Sequence, residues 1–304
     1  MDSEKIKEIV CKRYGEIISF QPIESNNDVA IIETKNDKIV FKANNEKGAF
    51  KDNEKKIRSI VGKTRYFRKI LYSDFSKKEY GKEFVLFEYV EGEDLLDLIK
   101  KGIEEKRLKN ISRKIYEFLV FITSFKQSKC GKLGRDNSCS WTKCLLDMHS
   151  ETTDILLDKI NHKYLKEIYD FIISYGKFIN KANFSLIPID LNLKNFLITE
   201  KDQIVFLDSG GIIKGDPLLA FGEFLSHTYK TKLGDFFMEN ISNYNEGLIH
   251  FYACFMNANV LAYISKNSNL DLDISKPWGN SHTFKNLMDV HIDKMESHFP
   301  QENI

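Results

Sequence analysis

The sequence predicts an α+β chain in two parts: a small antiparallel sheet with one helix over residues 1–91, then a mainly helical part over residues 92–304. Three observations carry this. The first ninety or so residues alternate short apolar runs with turn residues. From "EGEDLLDLIKKGI" onward the apolar period changes to 3.6. The helical part is interrupted by one pair of short strands, in "LIPIDLNLKNFLITEKDQIVFLDSGG", residues 186–211. A length of 304 also favours two cores, because single cores stop growing near about 250–300 residues.

In the first part, "AIIETKNDKIVFKA" reads as a hairpin whose strands flank Lys35, Asn36 and Asp37. A helix follows over 48–61, with Phe50, Ile57, Ile60 and Val61 as a partial apolar stripe. "TRYFRKILYSD" and "EFVLFEYV" read as two further strands, the second apolar enough for the sheet interior. In the second part, Leu108, Ile111, Ile115, Leu119 and Ile122 mark a helix over 104–127, and 160–180 behaves likewise. Further helices are expected over 217–230, over 234–268 with a break near 243–245, and over 281–297. The strand pair runs 196–198 and 204–207, turning at 200–202.

Composition excludes little but points away from two partner classes. Hydrophobic residues make 42% and charged residues 29%, and 45 basic side chains against 44 acidic ones leave +1. Neither a nucleic acid nor an anionic membrane surface is expected to bind such a chain. The start, MDSEKIKEIVCKRYGEI, lacks the apolar core of a secretory signal, and no uninterrupted apolar run suggests a membrane span, so a cytoplasmic protein with reduced cysteines is expected. Cys130, Cys139, Cys144 and His149 are the one cluster to weigh for zinc. The absence of a Cys-x-x-Cys pair favours ordinary buried or loop thiols.

The chemistry concentrates in the strand pair. Asp190, Asn195 and Asp208 stand at its ends, where acids and amides also serve as turn and cap residues. Converging, they would form an all-oxygen site suited to Mg²⁺, an ion that commonly shares its shell with substrate phosphates. The spacing matches the kinase pattern of a loop Asp facing the acceptor hydroxyl, an Asn five positions on, and a metal-holding Asp after the next hairpin. Lys42 ends a strand, Glu54 lies on the helix after it, and "FVLFEYVEG", with Glu88 and Val90, reads as a hinge strand able to bond an adenine edge. Taken singly, Lys42 and Glu54 have the ordinary alternatives of a solvated strand end and a surface helix acid. Their order along the chain is what favours chemistry.

Residues 186–222, "LIPIDLNLKNFLITEKDQIVFLDSGGIIKGDPLLAFG", resemble the core of the aminoglycoside phosphotransferase and choline kinase-like superfamily. That pattern runs HGD, four residues, N, a strand ending in IDF or IDW, then GDP with an acidic helix; "VLFEYVEGEDL" is similar to its hinge. The resemblance implies a two-lobed protein-kinase-like fold, with ATP or GTP between the lobes. It implies Asp190 as base or orienting group, Asn195 and Asp208 as Mg²⁺ ligands, Lys42 with Glu54 as a phosphate clamp, and Ser25, Asn26 and Asn27 as the nucleotide-covering loop. Asp216 is expected to cap the following helix.

Two features point from protein substrates to a small acceptor: Asn192 stands where Ser/Thr kinases place a lysine, and only 209–214 separate Asp208 from "GDP". One feature departs from the superfamily, since Pro188 and Ile189 replace the His and Gly of HGD. This leaves a non-catalytic nucleotide-binding module as the alternative. From residue 235 onward, nine acids against four lysines would attract a cationic acceptor, so an aminoglycoside or similar antibiotic is expected first and a metabolic alcohol, sugar or choline-like molecule second. Solvated helix faces explain the same acids equally well.

Overall fold

A computed structural model describes residues 1–25, 27–44, 50–133, 140–157, 162–180, 183–265 and 284–299. The chain forms two compact units, Met1–Glu93 with Leu197–Gly211, and Asp94–Phe196 with Ile212–Ile304. The linear division at residue 91 therefore misses one feature: the chain returns to the first unit with its strand pair.

The first unit opens with α1 (Ser3–Tyr14), which the strand-and-turn reading of this region did not assign. Asp2 caps it by accepting from the Lys5 N–H at 3.1 Å, and Gly15 at φ 84° ends it. Five strands follow, β1 (Ile17–Ile23), β2 (Asp28–Thr34), β3 (Lys38–Asn44), β4 (Ile70–Asp74) and β5 (Glu83–Glu88). They form an antiparallel sheet in the order β1-β2-β3-β5-β4. Side chains alternate faces along a strand. Ile39, Phe41 and Ala43 of β3 thus pack with Ile6, Ile9 and Val10 of α1, while Val40 joins Phe50, Val85 and Phe87 on the other face. Lys42 shares the parity of Val40, so β3 directs it to the face away from α1.

The expected helix over 48–61 is built in two pieces, a π-helical turn Phe50–Glu54 and then α2 (Lys55–Val61); residues 48–49 lie outside the described residues. The strand expected across 64–74 is regular only over β4. A short strand β6 (Glu93–Asp94) and the hairpin β9 (Phe196–Ile198) and β10 (Ile204–Phe206) make a second small sheet. Asp202 turns the hairpin at φ 54°, a left-handed conformation that Asp tolerates better than most residues. The Phe206 N–H donates to the Tyr66 carbonyl at 2.8 Å and ties the hairpin to the first unit.

The second unit contains α3 (Leu95–Lys100), α4 (Glu105–Thr123), α5 (Trp141–Leu156), α6 (His162–Ser174), α7 (Gly176–Ile179), α8 (Leu218–Thr228), α9 (Lys232–Ile241), α10 (Glu246–Ser265) and α11 (Phe284–His298). A small antiparallel sheet, β7 (Gly131–Lys132), β11 (Ile212–Gly215) and β8 (Ser185–Pro188), runs in the order β7-β11-β8. The break expected near 243–245 falls between α9 and α10, and α5 lies where no helix was assigned. Among the described residues, α10 is long and apolar enough by composition to cross a membrane, but 78% of its apolar window is buried, packed on α5, α8 and α11. It is the core helix of this unit. Gly222 of α8 permits the close approach to α10: a Cβ there would lie 2.5 Å from the Tyr252 Cβ and 2.8 Å from the Ala253 nitrogen.

The α10–α11 contact buries a histidine pair. His250 and His291 face each other with their Nδ1 atoms 2.8 Å apart, and the Tyr229 ring packs on both. Burial pushes His250 down to about 4; the Glu246 carboxylate opposes that shift, and Lys294 and His298 add to it. A base whose folded pKa lies below its unfolded value of about 6.5 stabilises the fold fully above that value and loses the contribution as pH falls toward the folded pKa. Urea midpoints taken from about pH 7 down to about pH 4.5 should therefore decline, this site contributing at most about 3 kcal/mol. The decline should be shallower in His250→Leu, and an equal slope in the two proteins would remove His250 as its cause.

Candidate active site

In the first unit, the Lys42 ammonium donates to Asp208 Oδ1 at 3.1 Å, joining β3 to the residue that closes the strand pair. The Gly210 N–H, at 3.3 Å, holds the same carboxylate oxygen. The expected Lys42–Glu54 clamp is not formed. Glu54 is 2% exposed, and both its oxygens are taken: Oε1 accepts from Arg58 Nε and Nη2 at 3.0 and 2.8 Å, and Oε2 from the Ser209 hydroxyl. The cause is local, since Arg58 lies one helical turn beyond Glu54 and Ser209 directly follows Asp208. Asn53 Nδ2 adds a bond to the Gly210 carbonyl at 2.8 Å. The lysine and the glutamate thus both hold the Asp208–Gly210 turn without touching each other.

A second cation stands here. The Arg68 guanidinium lies 4.5 Å over the Phe87 ring, within the fields of Glu54, Asp208 and Glu88. Desolvation lowers its pKa to about 10, the carboxylates oppose that, and it stays charged at neutral pH. Glu88 closes β5, and Val90 lies two residues on. The Glu88 carboxylate accepts from the Lys69 N–H at 2.8 Å, and the Glu88 N–H donates to the Lys69 carbonyl at 2.9 Å. Ser25 Oγ accepts from the Asn27 N–H at 3.2 Å, and Asn26 lies outside the described residues.

In the second unit, Asp190 stands two residues past β8, an edge strand whose last residue is Pro188. Proline is tolerated at a sheet edge, so its replacement of histidine does not disturb the strand. Asn192 caps a single 3₁₀ turn, Leu193–Asn195, accepting from the Lys194 N–H at 3.1 Å. That turn returns Asn195 to Asp190: Asn195 Nδ2 donates to the Asp190 carbonyl at 3.0 Å, which leaves the amide oxygen for a cation. In sequence, Asn195 directly precedes β9 and Asp208 follows β10 by two residues.

Asp190 and Asn195 line a cavity of about 660 Å³ in this unit. Met148, Ile189, Met256, Val260 and Ile264 supply apolar wall, and Glu223 and His227 of α8 supply polar wall. A larger hollow of about 900 Å³, between α5 and α6, is lined by His149 and by none of the residues predicted for phosphoryl transfer.

Sequence reasoning missed Arg68, Glu223 and His227. Arg68 is one of several basic residues in "TRYFRK" and carries no separate signal. Glu223 does carry one, an acid inside the otherwise apolar "LLAFGEFL". Of the residues weighed for zinc, only part is described. Cys130 and Cys144 are buried with sulfurs 3.2 Å apart, Cys139 lies outside the described residues, and burial lowers the pKa of His149. Among the described residues no three His, Cys, Asp or Glu side chains gather around a metal position.

No protein-family model and no curated protein matches the chain. Solved structures do. A thermostable mutant of aminoglycoside phosphotransferase APH(4)-Ia, in a ternary complex with ADP and hygromycin B, superposes with TM-score 0.70 at 11% identity, covering 97% of each chain. The fold is that of these kinases. Choline kinase LicA from Streptococcus pneumoniae gives TM-score 0.65 at 15% identity, over 97% of this chain and 99% of its own. ADP-bound aminoglycoside phosphotransferase APH(2'')-Ib gives 0.63 at 14%, over 98% and 99%. The protein-kinase-like fold, with its small antiparallel sheet and mainly helical second part, is therefore established, as the sequence resemblance implied.

Proposed function

We propose that the protein is a small-molecule phosphotransferase that moves the γ-phosphoryl group of ATP or GTP to a hydroxyl of a small acceptor. The observation that supports it is the Lys42–Asp208 ion pair, which sets side by side two residues 166 positions apart that the kinase pattern gives to phosphate and to metal. Lys42 and Arg68 are the cations available to phosphate oxygens, and backbone groups at Glu88 and Val90, with those of the Ser25–Asn27 loop, would hold the base and phosphates. We take Asn195 and Asp208 as the Mg²⁺ ligands that the kinase pattern implies: an amide oxygen and a carboxylate are donors of the class Mg²⁺ prefers, and Asp208 already attracts a cation in Lys42. When bound, the metal would neutralise charge on the β- and γ-phosphates. Asp190 orients the acceptor hydroxyl and takes its proton as the oxygen attacks phosphorus in line.

The cavity supports the second of the two expected acceptor classes. Its ionisable side chains are Asp190, Lys194, Glu223 and His227, set among methionines and branched aliphatics. Of the acids counted from residue 235 onward, Asp235, Glu239, Glu246, Asp289, Asp293 and Glu296 are not among its lining residues, and Asp271, Asp273 and Glu302 lie outside the described residues, as do Lys266, Lys276 and Trp278. An acceptor with apolar surface and at most one positive charge fits such a wall better than a polycationic aminoglycoside. The donor nucleotides belong to the cytoplasm, where we place the protein.

The test is a melting shift with Mg-ATP and Mg-GTP, followed by diphosphate release with neutral alcohols, choline-like monocations and aminoglycosides. No nucleotide shift sinks the proposal, nucleotide binding without turnover on any acceptor favours a non-catalytic module, and turnover on aminoglycosides alone overturns the acceptor class. Within the donor site, Lys42→Met is expected to raise nucleotide KM by about 10- to 100-fold, the worth of a hydrogen bond to a charged group. Steady-state kinetics over a nucleotide series would show it, and an unchanged KM would remove Lys42 from the site.

A further inference from the structure

The Asp190 loop lacks the histidine of the HGD pattern, and Pro188 in its place offers neither a side-chain hydrogen bond nor a backbone donor. The peptide joining Asp190 to Leu191 is nevertheless held at both of its polar groups. Its carbonyl accepts from Asn195 Nδ2 at 3.0 Å, and its N–H donates to Glu223 Oε1 at 3.3 Å. Because a peptide unit is planar, fixing both ends fixes the backbone angle on the carbonyl side of Asp190, and with it the direction in which the Asp190 side chain leaves the loop.

Glu223 is itself immobilised. Its side chain is 1% exposed, Oε1 lies 3.2 Å from His227 Nε2, and Oε2 lies 3.5 Å from the Ser226 hydroxyl. The neighbouring Gly222 fixes α8 against α10 by backbone approach, so the carboxylate has little freedom to drift. A carboxylate buried in an apolar helix is costly unless its partners repay the desolvation. Here those partners are the Leu191 N–H of the Asp190 loop, the His227 ring and the Ser226 hydroxyl.

We infer that Glu223, held by His227, is a positioning residue that sets the orientation of Asp190 in place of the missing loop histidine. The inference rests on the phosphotransferase assignment of Asp190.

The full chain is assayed with Mg-ATP or Mg-GTP and the acceptor found in the panel, or with water where none is found. In either case the γ-phosphorus bond to the nucleoside diphosphate oxygen breaks, a bond to the acceptor oxygen forms, and the acceptor proton passes to Asp190. Glu223→Ala is expected to lower kcat by about 10- to 100-fold, the scale of a displaced catalytic group, with nucleotide KM unchanged. Glu223→Gln keeps an oxygen for the Leu191 N–H and is expected to restore most of the loss. Should Glu223→Ala not fold, His227→Phe decides: it frees Glu223 while keeping the Leu191 bond partner, and a lowered kcat at unchanged nucleotide KM supports the role. An unchanged kcat in a folded variant, or a loss that Gln does not restore, overturns the inference while Asp190 keeps its role. No turnover by the wild-type chain on any acceptor, water included, overturns both.

Discussion

Replacing Asp190 with alanine is expected to lower phosphoryl transfer by about 10²- to 10⁴-fold, the range of a lost general base, while the melting shift produced by Mg-nucleotide persists. The substitution leaves the backbone bonds of the loop in place. The bonds that hold it use the residue 190 carbonyl, the Leu191 N–H and the Asn192 cap, and alanine keeps all three. Lys42, Arg68 and Asp208 belong to the other unit and retain their contacts. Asp190→Asn should behave like alanine in turnover, since an amide cannot accept the hydroxyl proton. A variant with wild-type kcat would remove Asp190 from the mechanism, and one that no longer melts cooperatively would show the carboxylate to be structural.

How much was legible follows from how each signal is written. The hairpin of β2 and β3 and the long helix α4 were readable because period-2 and period-3.6 patterns lie in contiguous sequence. The helix α5 was obscured because Cys144, His149 and Thr152 occupy buried positions where aliphatic residues would have advertised a stripe. α1 had the full signal, an Asp cap, Ile6, Ile9 and Val10 on one face and a terminal glycine, and was nevertheless not assigned. The Lys42–Glu54 clamp failed for a different reason. Spacing places residues on elements, but Glu54 had two nearer partners, and the i,i+4 arginine among them was visible in "DNEKKIR" only as Asn53, Glu54 and Arg58 in series. Glu223 was legible as an anomaly, an acid in an apolar helix, while its target, the Leu191 N–H thirty-two positions earlier, was not.

Asp216→Ala is expected to cost about 2–5 kcal/mol of stability, a large share of the about 5–15 kcal/mol typical of a domain. Asp216 is 3% exposed and caps α8, Oδ1 accepting from the Leu218 N–H at 2.9 Å. Its other oxygen accepts from the Tyr252 hydroxyl at 2.9 Å, and that hydroxyl accepts from Trp141 Nε1 at 2.8 Å, linking β11, α10 and α5 through wholly buried groups. Burial pushes the pKa of both Asp216 and Tyr252 upward. Alanine removes the cap, worth about 0.5–2 kcal/mol, and strands the Tyr252 donor, worth about 1–3 kcal/mol more. The site cannot collapse to compensate, because Trp141 already packs so tightly that a Cβ on Gly215 would lie 2.3 Å from its ring. Asp216→Asn keeps an oxygen for Leu218 and should lose less. Urea unfolding measures both, and a loss below about 1 kcal/mol for alanine would show that the buried chain of bonds contributes little. Because α8 also carries Glu223, the alanine variant should lose kcat even at temperatures where it remains folded, connecting the cap of one helix to the aim of the catalytic carboxylate.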